Sequence, residues 1–444
     1  MVSSLVRVHL LVRCIGPSRN PQPVGIVVTP AKLDRLSWLL YDFANNSFSV
    51  MIVTFVYPVY FKSVVCAGLG NLGDLLWGIN GSLSLMVVAF LSPILGAAAD
   101  LSGQKKKLLV ASGFLCIFLT FQLAWVESGM VFWGMAIFIS ANIVYQTGQV
   151  FYNAFLPDLA SPQEVGRLSG YGWASAYLGG IAVLLLSIPQ LQNGGPEKTR
   201  FVFILTALFY LFFALPAFFF LPSDQTGGNR LRWNTFFSAG FQQVKRTLSR
   251  MDQYRQLRRF LLAYFVYMEG VSTIVYYTSI YAQDTLGFTT AELVYLYLAL
   301  QTVGVGGAIG FGLLSDRIGP RTTLVFILIL WSLVGLGAAL AYSKATFWVV
   351  AMAGALCLAS VQAVSRSMIV LMVEREQQAE IFGFYGISGK LSSAFGPLLF
   401  GLISLLSGSQ RVAMLSVGLL FLAGLFLLLR VEEPGRKGEV AYGR

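Results

Sequence analysis

The chain has 444 residues, of which 56% are apolar and only 11% charged, against roughly 25% charged in a typical soluble domain. A soluble fold of this length needs far more polar surface to cover its cores, so a soluble enzyme or binding module is excluded. The net charge of +11 does not call for nucleic acid, because the basic residues of a membrane protein collect in cytoplasmic loops beside anionic lipid.

Residues 1–35 read as a cytoplasmic tail. Arg7 and Arg13 interrupt any apolar core that a signal peptide would need. The only histidine, His9, lies in this tail, and Cys14, Cys66, Cys116 and Cys357 stand apart with no metal spacing. No cofactor or metal is expected.

Twelve apolar runs follow, at approximately 36–61, 75–99, 107–126, 130–156, 167–189, 200–222, 259–282, 291–315, 322–342, 345–372, 384–407 and 412–430. Each approaches or exceeds the roughly 20 residues that cross a hydrocarbon core as a helix. They are numbered spans 1 to 12. Prolines within them (Pro58, Pro93, Pro216, Pro397) fit membrane helices, where neighbours can satisfy the freed carbonyls. With the N-terminus inside, the inner segments hold 25 Lys and Arg, and the outer loops hold only five: Lys62, Lys198, Arg200, Lys344 and Arg411. That asymmetry predicts both termini in the cytoplasm.

The division expected is a six-helix half over 36–222, a cytoplasmic linker over 223–258, a second half over 259–430 and a tail over 431–444. In the linker, Phe237, Phe241, Val244, Leu248 and Met251 recur at helical spacing with Lys245, Arg246 and Arg250 between them. This predicts an amphipathic helix on the inner membrane surface.

Span 2 ends in GAAADLSGQKKK (96–107) and span 8 in GLLSDRIGPRTT (312–323). Gly96, Asp100 and Gly103 match Gly312, Asp316 and Gly319, and Lys105 matches Arg321, all at one offset near half the chain length. The same offset pairs Gln146 with Gln362 and Gly180 with Gly396. A duplicated six-helix unit explains this. The second glycine of each block permits a tight turn. Asp100 and Asp316 close their own helices, where the dipole disfavours an anion, so each needs a partner elsewhere. Gly96, Asp100, Gly103, Gly312, Asp316, Arg317, Gly319, Arg321 and Lys390 are the candidate gating residues.

The repeated block resembles the loop signature of the major facilitator superfamily, G-x-x-x-D-R-x-G-R-R, with Leu101 where arginine is usual in the first copy. The stretches WLLYDFANNSFSVMIVTFVYPVYF (38–61), FLPDLASPQEVGRLSGYGWASAYLGG (155–180) and QAVSRSMIVLMVEREQQAEIFGFYGISGKLSSAFGPLLFG (362–401) resemble the unknown-major-facilitator family, related to fungal autophagy-linked vacuolar amino-acid effluxers. The resemblance implies an all-α polytopic fold of twelve transmembrane helices in two pseudo-symmetric halves, with spans 1, 4, 7 and 10 around a central cavity. One departure is Glu269, where that family leads us to expect aspartate.

Ionisable residues inside a membrane are costly and mark functional candidates. Asp42 in span 1, Glu269 in span 7 and Arg366 in span 10 qualify. Span 4 adds the stripe Asn142, Gln146, Gln149 and Asn153, which share one helical face. Asn45 or Asn46 and Ser49 do likewise in span 1, Ser272 or Thr273 and Tyr276 in span 7, and Gln362 in span 10. Such polar residues also serve as plain inter-helix contacts. Arg366 with Asp42 or Glu269 can hold a zwitterion; equally, Asp42 and Arg366 can close an inner gate. Glu269, deep in its helix with no nearby basic residue in its own span, is the expected proton-coupling site, because desolvation disfavours a charged carboxyl.

The expected protein is a monomeric secondary transporter of a small solute, possible classes being amino acids, drugs or other metabolites, coupled to protons in a bacterial cytoplasmic membrane. GISGKLSS (386–393) only grazes a phosphate-loop pattern, since Phe384 and Leu391 break it. No hydrolase motif suggests an enzyme, and a receptor fits the glycine-rich span 8 less well than a rocking carrier.

Overall fold

The computed structural model of the chain describes residues 32–102, 104–159, 165–192, 195–222, 255–372, 389 and 393–432. The described residues are helical almost throughout, as backbone in lipid must satisfy its own hydrogen bonds. Ten helices are long and apolar enough to cross a membrane. Span 4, Val131–Asn153, is long enough as well, but four amides interrupt its apolar run. Span 11 is described as a helix from Gly396 to Ser407. The twelve spans form two six-helix halves.

The turn at 66–70 marks one end of the bundle, called upper here, and Gln104 the lower. Large apolar side chains such as Phe132, Phe212 and Phe219 lie exposed around the perimeter, at 74%, 68% and 71%, as a lipid-facing surface requires.

Span 1 is the most irregular element. Helix Lys32–Phe48 passes into a π-helical turn Ser49–Thr54, a short helix Val56–Tyr60 and a second π-helical turn Phe61–Val65. Pro58 has no N–H to offer the Thr54 carbonyl four residues earlier. Two hydroxyls from the other half take its place: Ser279 Oγ donates to Thr54 O at 2.8 Å and Tyr297 Oη at 2.7 Å. The compensation expected of a membrane proline is thus supplied across the interface between the halves.

Close packing falls at particular glycines. A Cβ on Gly179 (span 5) would collide with the Phe43 backbone of span 1, and one on Gly307 (span 8) with the Leu356 backbone of span 10. By contrast, Gly306, Gly310 and Gly312 face open space. The glycine richness of span 8 serves packing at only some of its positions.

The duplicated block lies at the lower end. Span 2 runs as Asn71–Ser102, so Gly96 and Asp100 are helical, and span 8, Thr290–Ile318, holds Gly312, Asp316 and Arg317. Gly319 adopts φ +92°, a conformation that favours glycine, between Ile318 and the next helix at Pro320. Arg321 donates to the Leu429 carbonyl at 3.0 Å, closing span 12. Lys106 does the same for span 6, reaching the Leu221 carbonyl at 2.7 Å. The side chains of Asp100 and Asp316, and residues Gly103 and Lys390, lie outside what is described, as does most of the linker with its expected amphipathic helix. Span 7 begins at Arg255, four residues before its predicted start.

Candidate functional site: a cavity closed at one end

Between the halves lies a cavity of about 1130 Å³. It descends from Thr54 and Thr278 to Trp38, Leu156 and Arg366 near the lower end, with a branch toward Trp331, Phe347 and Met414. Six predicted site residues line it: Asp42, Asn45, Gln146, Gln149, Gln362 and Arg366. Asp42 lies beside Tyr152 and Gln149. Asn45 Oδ1 accepts from Tyr210 Oη at 2.7 Å, and Asn46 Nδ2 donates to the Ala176 carbonyl at 2.7 Å. These bonds fix the faces of span 1 that reach the cavity. No ion pair joins Asp42 to Arg366, so the inner contact expected between them is not made in this structure.

Three predicted residues sit elsewhere. Asn142, one turn above Gln146, is fully buried and donates to Ser84 Oγ at 2.7 Å and Tyr276 Oη at 2.9 Å. Trp77 Nε1 donates to the Tyr276 carbonyl at 2.8 Å. Asn142 and Tyr276 are therefore paired with each other across the halves, above the cavity. Glu269 faces away from the cavity, toward span 11. Its Oε2 accepts from the backbone N–H of Phe395, at 3.1 Å, and from that of Gly396. The cavity wall also extends beyond spans 1, 4, 7 and 10: Tyr177 from span 5, Tyr297 and Gln301 from span 8 and Trp331 from span 9 contribute. Tyr276 is the one aromatic candidate among the predicted site residues; Tyr177, Tyr297 and Trp331 carry no signal in the sequence, because in lipid aromatic residues are equally at home on any face.

Above the cavity sits a charged cluster that sequence reasoning missed. Asp74, at 0% exposure, pairs with Lys62, accepts from Ser404 Oγ at 2.6 Å and accepts from Gln410 Nε2 at 3.0 Å. Lys62 also lies 2.6 Å from Asp284 Oδ2. Lys62 and Asp74 belong to the first half, and Asp284, Ser404 and Gln410 to the second. All three charges fall within two residues of a predicted span end, where a screen of span interiors does not look; their convergence at one end was the available signal. With Asn71 Nδ2 donating to the Ser404 carbonyl at 2.8 Å, the cluster and the Thr54 contacts seal the upper end.

Two six-helix bundles around a central cavity define a transporter of the major facilitator superfamily. The same fold is seen in a D-xylose–proton symporter (TM-score 0.69, 13% identity, 90% of this chain and 97% of that one) and in the inward-open xylose transporter XylE from E. coli (TM-score 0.65, 16% identity, 92% and 96%). Within that superfamily the chain belongs to the family described as vacuole effluxer Atg22 like, whose model matches residues 78–440. It is 29% identical over 416 residues to the uncharacterized MFS-type transporter YxiO of Bacillus subtilis, covering 89% of this chain and 94% of that one. To autophagy-related protein 22-1 of Penicillium rubens it is 23% identical over 449 aligned positions, covering 82% and 76%. The chain is an integral multi-pass membrane transporter.

Proposed function

We propose that the protein is a proton-coupled carrier that exports a small zwitterionic solute, of the amino-acid class, by alternating access. The observation that carries this reading is one cavity holding a carboxylate from the first half, Asp42, and a guanidinium from the second, Arg366, unpaired with each other. A zwitterion's ammonium and carboxylate match those two groups, and closing the lower end around it would bring the halves together. The vacuole-effluxer family supports the direction, and the resemblance of residues 38–61, 155–180 and 362–401 to vacuolar amino-acid effluxers supports the class. Its bodies are residues 36–222 and 259–430, working as a monomer, with small-molecule transport rather than catalysis as the activity.

The coupling proton belongs to Asp42 in this reading. Asp42 faces the cavity, where water and substrate reach it, and Glu269 does not. A second reading, export of lipophilic cations, is favoured by the aromatic walls Trp38, Tyr145, Trp173 and Trp331.

The charge asymmetry of the loops supports a lower end that faces the cytoplasm, with both termini inside a bacterial plasma membrane. The structure then corresponds to an inward-facing state. Proteoliposomes loaded with single labelled amino acids test the function, with and without a pH gradient. Saturable, gradient-dependent flux of an amino acid supports it; flux of lipophilic cations alone overturns the substrate class. Single cysteines test orientation: those in 190–199 should react with impermeant reagents from outside, and those in 223–257 should not. Cys66 gives little background, since burial pushes its thiol up to about 11.

A further inference from the structure

Glu269 occupies a site that neither cavity lining nor lipid contact explains. The residue is 4% exposed, and one of its carboxylate oxygens, Oε2, takes both of its hydrogen bonds from a single target. Span 11 resumes as a helix at Gly396, behind the non-helical residues Ser393, Ala394 and Phe395. The first N–H groups of a helix have no partner within it. Pro397 has none to satisfy, and Glu269 Oε2 accepts from both Phe395 and Gly396. The contact is close because residue 396 is glycine: a Cβ there would meet the Glu269 carbonyl and Thr273 Oγ1. An anion at a helix N-terminus is also favoured by the helix dipole.

The other end of this helix is held differently. Ser404 donates to Asp74, and Gly401 lies against the backbone of Asp74 and Leu75. Span 2, which carries Asp74, belongs to the opposite half. Gly396–Ser407 is 12 residues long, about 18 Å at 1.5 Å per residue. The Gly396 end is fastened to span 7 of its own half and lies against Gly78 of span 2, and the other end is fastened to the upper seal.

We infer that Glu269 is a positioning residue: it caps Gly396–Ser407 and makes this helix move with span 7 when the upper seal against span 2 breaks. This rests on the alternating-access reading. When the halves part at the top, Asp74 must release Ser404. The helix then follows its contacts within its own half, which are the buried cap on span 7 and the Tyr277 ring of the same span, stacked on Phe400 at 4.0 Å. Without the cap, the helix can stay with span 2 and leave the seal partly shut.

The chemistry of substitution separates a cap from a proton site. Glu269→Gln keeps the reach and one acceptor oxygen. The other carboxylate oxygen, Oε1, has no partner among the described residues, so an NH₂ in its place forfeits no bond. Glu269→Asp retains the charge and titration but is shorter by one methylene, about 1.5 Å, and cannot reach either N–H. A proton site predicts the opposite ranking, with aspartate active and glutamine uncoupled.

Two measurements test this. Hydrogen exchange of amides 395–402 in the purified protein should speed up about fivefold in Glu269→Asp, the scale of a lost helix cap, and stay near wild type in Glu269→Gln. Labelling from outside of a cysteine at Thr278, in the presence of transported substrate, should fall about fivefold in Glu269→Asp and be retained in Glu269→Gln. Unchanged exchange in the Asp variant would overturn the cap. Altered exchange with unchanged labelling would overturn its link to the seal. Loss of gradient-driven accumulation in Glu269→Gln, with exchange transport kept, would return Glu269 to proton coupling. Failure of alternating access itself shows separately, as wild-type labelling at Thr278 that never responds to substrate.

Discussion

Lys62 Nζ lies 2.6 Å from Asp284 Oδ2 while it also pairs with the buried Asp74. One cation on span 1 thus neutralises a carboxylate of its own half and one of the other half. Removing it leaves two carboxylates facing each other in a closed seal, where an unpaired buried charge costs about 3 kcal/mol or more. Lys62→Gln should therefore bias the protein outward. External labelling of a cysteine at Thr278 should rise about a hundredfold, the equilibrium equivalent of that energy. Unaltered labelling would show that the ion pairs are not the seal.

Asp284 is partly exposed, at 32% of its side chain, so water screens its half of the arrangement. Asp284→Asn should open the seal much less than Lys62→Gln, by about 1 kcal/mol or under. The same labelling assay reads the difference. An Asp284 effect equal to that of Lys62 would mean that the cross-half pair alone carries the closure.

Asp42→Asn should abolish accumulation driven by a pH gradient while exchange of substrate between the two sides of a vesicle continues. Arg366→Gln should instead raise the KM for a carboxylate-bearing substrate about tenfold, the scale of one charge-assisted hydrogen bond, with coupling intact. Proteoliposome flux with and without a proton gradient separates the two. Gradient-driven uptake surviving in Asp42→Asn would remove Asp42 from coupling.

Gly307→Ala should lower the melting temperature of the detergent-solubilised protein, because the added methyl meets the Leu356 backbone and overpacking costs about 1–3 kcal/mol. Gly306→Ala, one residue away and facing open space, should leave it unchanged. Equal effects would mean that spans 8 and 10 do not approach as described.

Much of this organisation is legible in the residues themselves. Hydropathy marks the spans because lipid demands long apolar helices, and the repeat at Gly96/Gly312 and Gly103/Gly319 betrays the duplication. Asp42, Gln149 and Arg366 are found as cavity residues because a polar group in lipid must face something polar. The same rule misplaces Glu269 and Asn142: each does find a polar partner, but in a helix N-terminus and a tyrosine hydroxyl rather than in the cavity. Which partner is chosen depends on packing between distant spans, and periodicity within one span carries no record of that. Lys62, Asp74 and Asp284 escape for another reason. At span ends each reads as an ordinary loop charge, and only the fold brings them together.

The Thr54 carbonyl, left open by Pro58 and taken up by Ser279 and Tyr297, places a layer of main-chain bonding directly beneath the charged cluster. Main-chain acceptors survive any side-chain substitution at their own position, so this second layer still closes the upper end of each inward-facing molecule when the charges above it are altered. Variants of the cluster should accordingly change how often the molecule turns over, without creating a leak for ions. A cell would tolerate sequence drift at the charged layer, at the expense of speed, while its membrane potential stays intact.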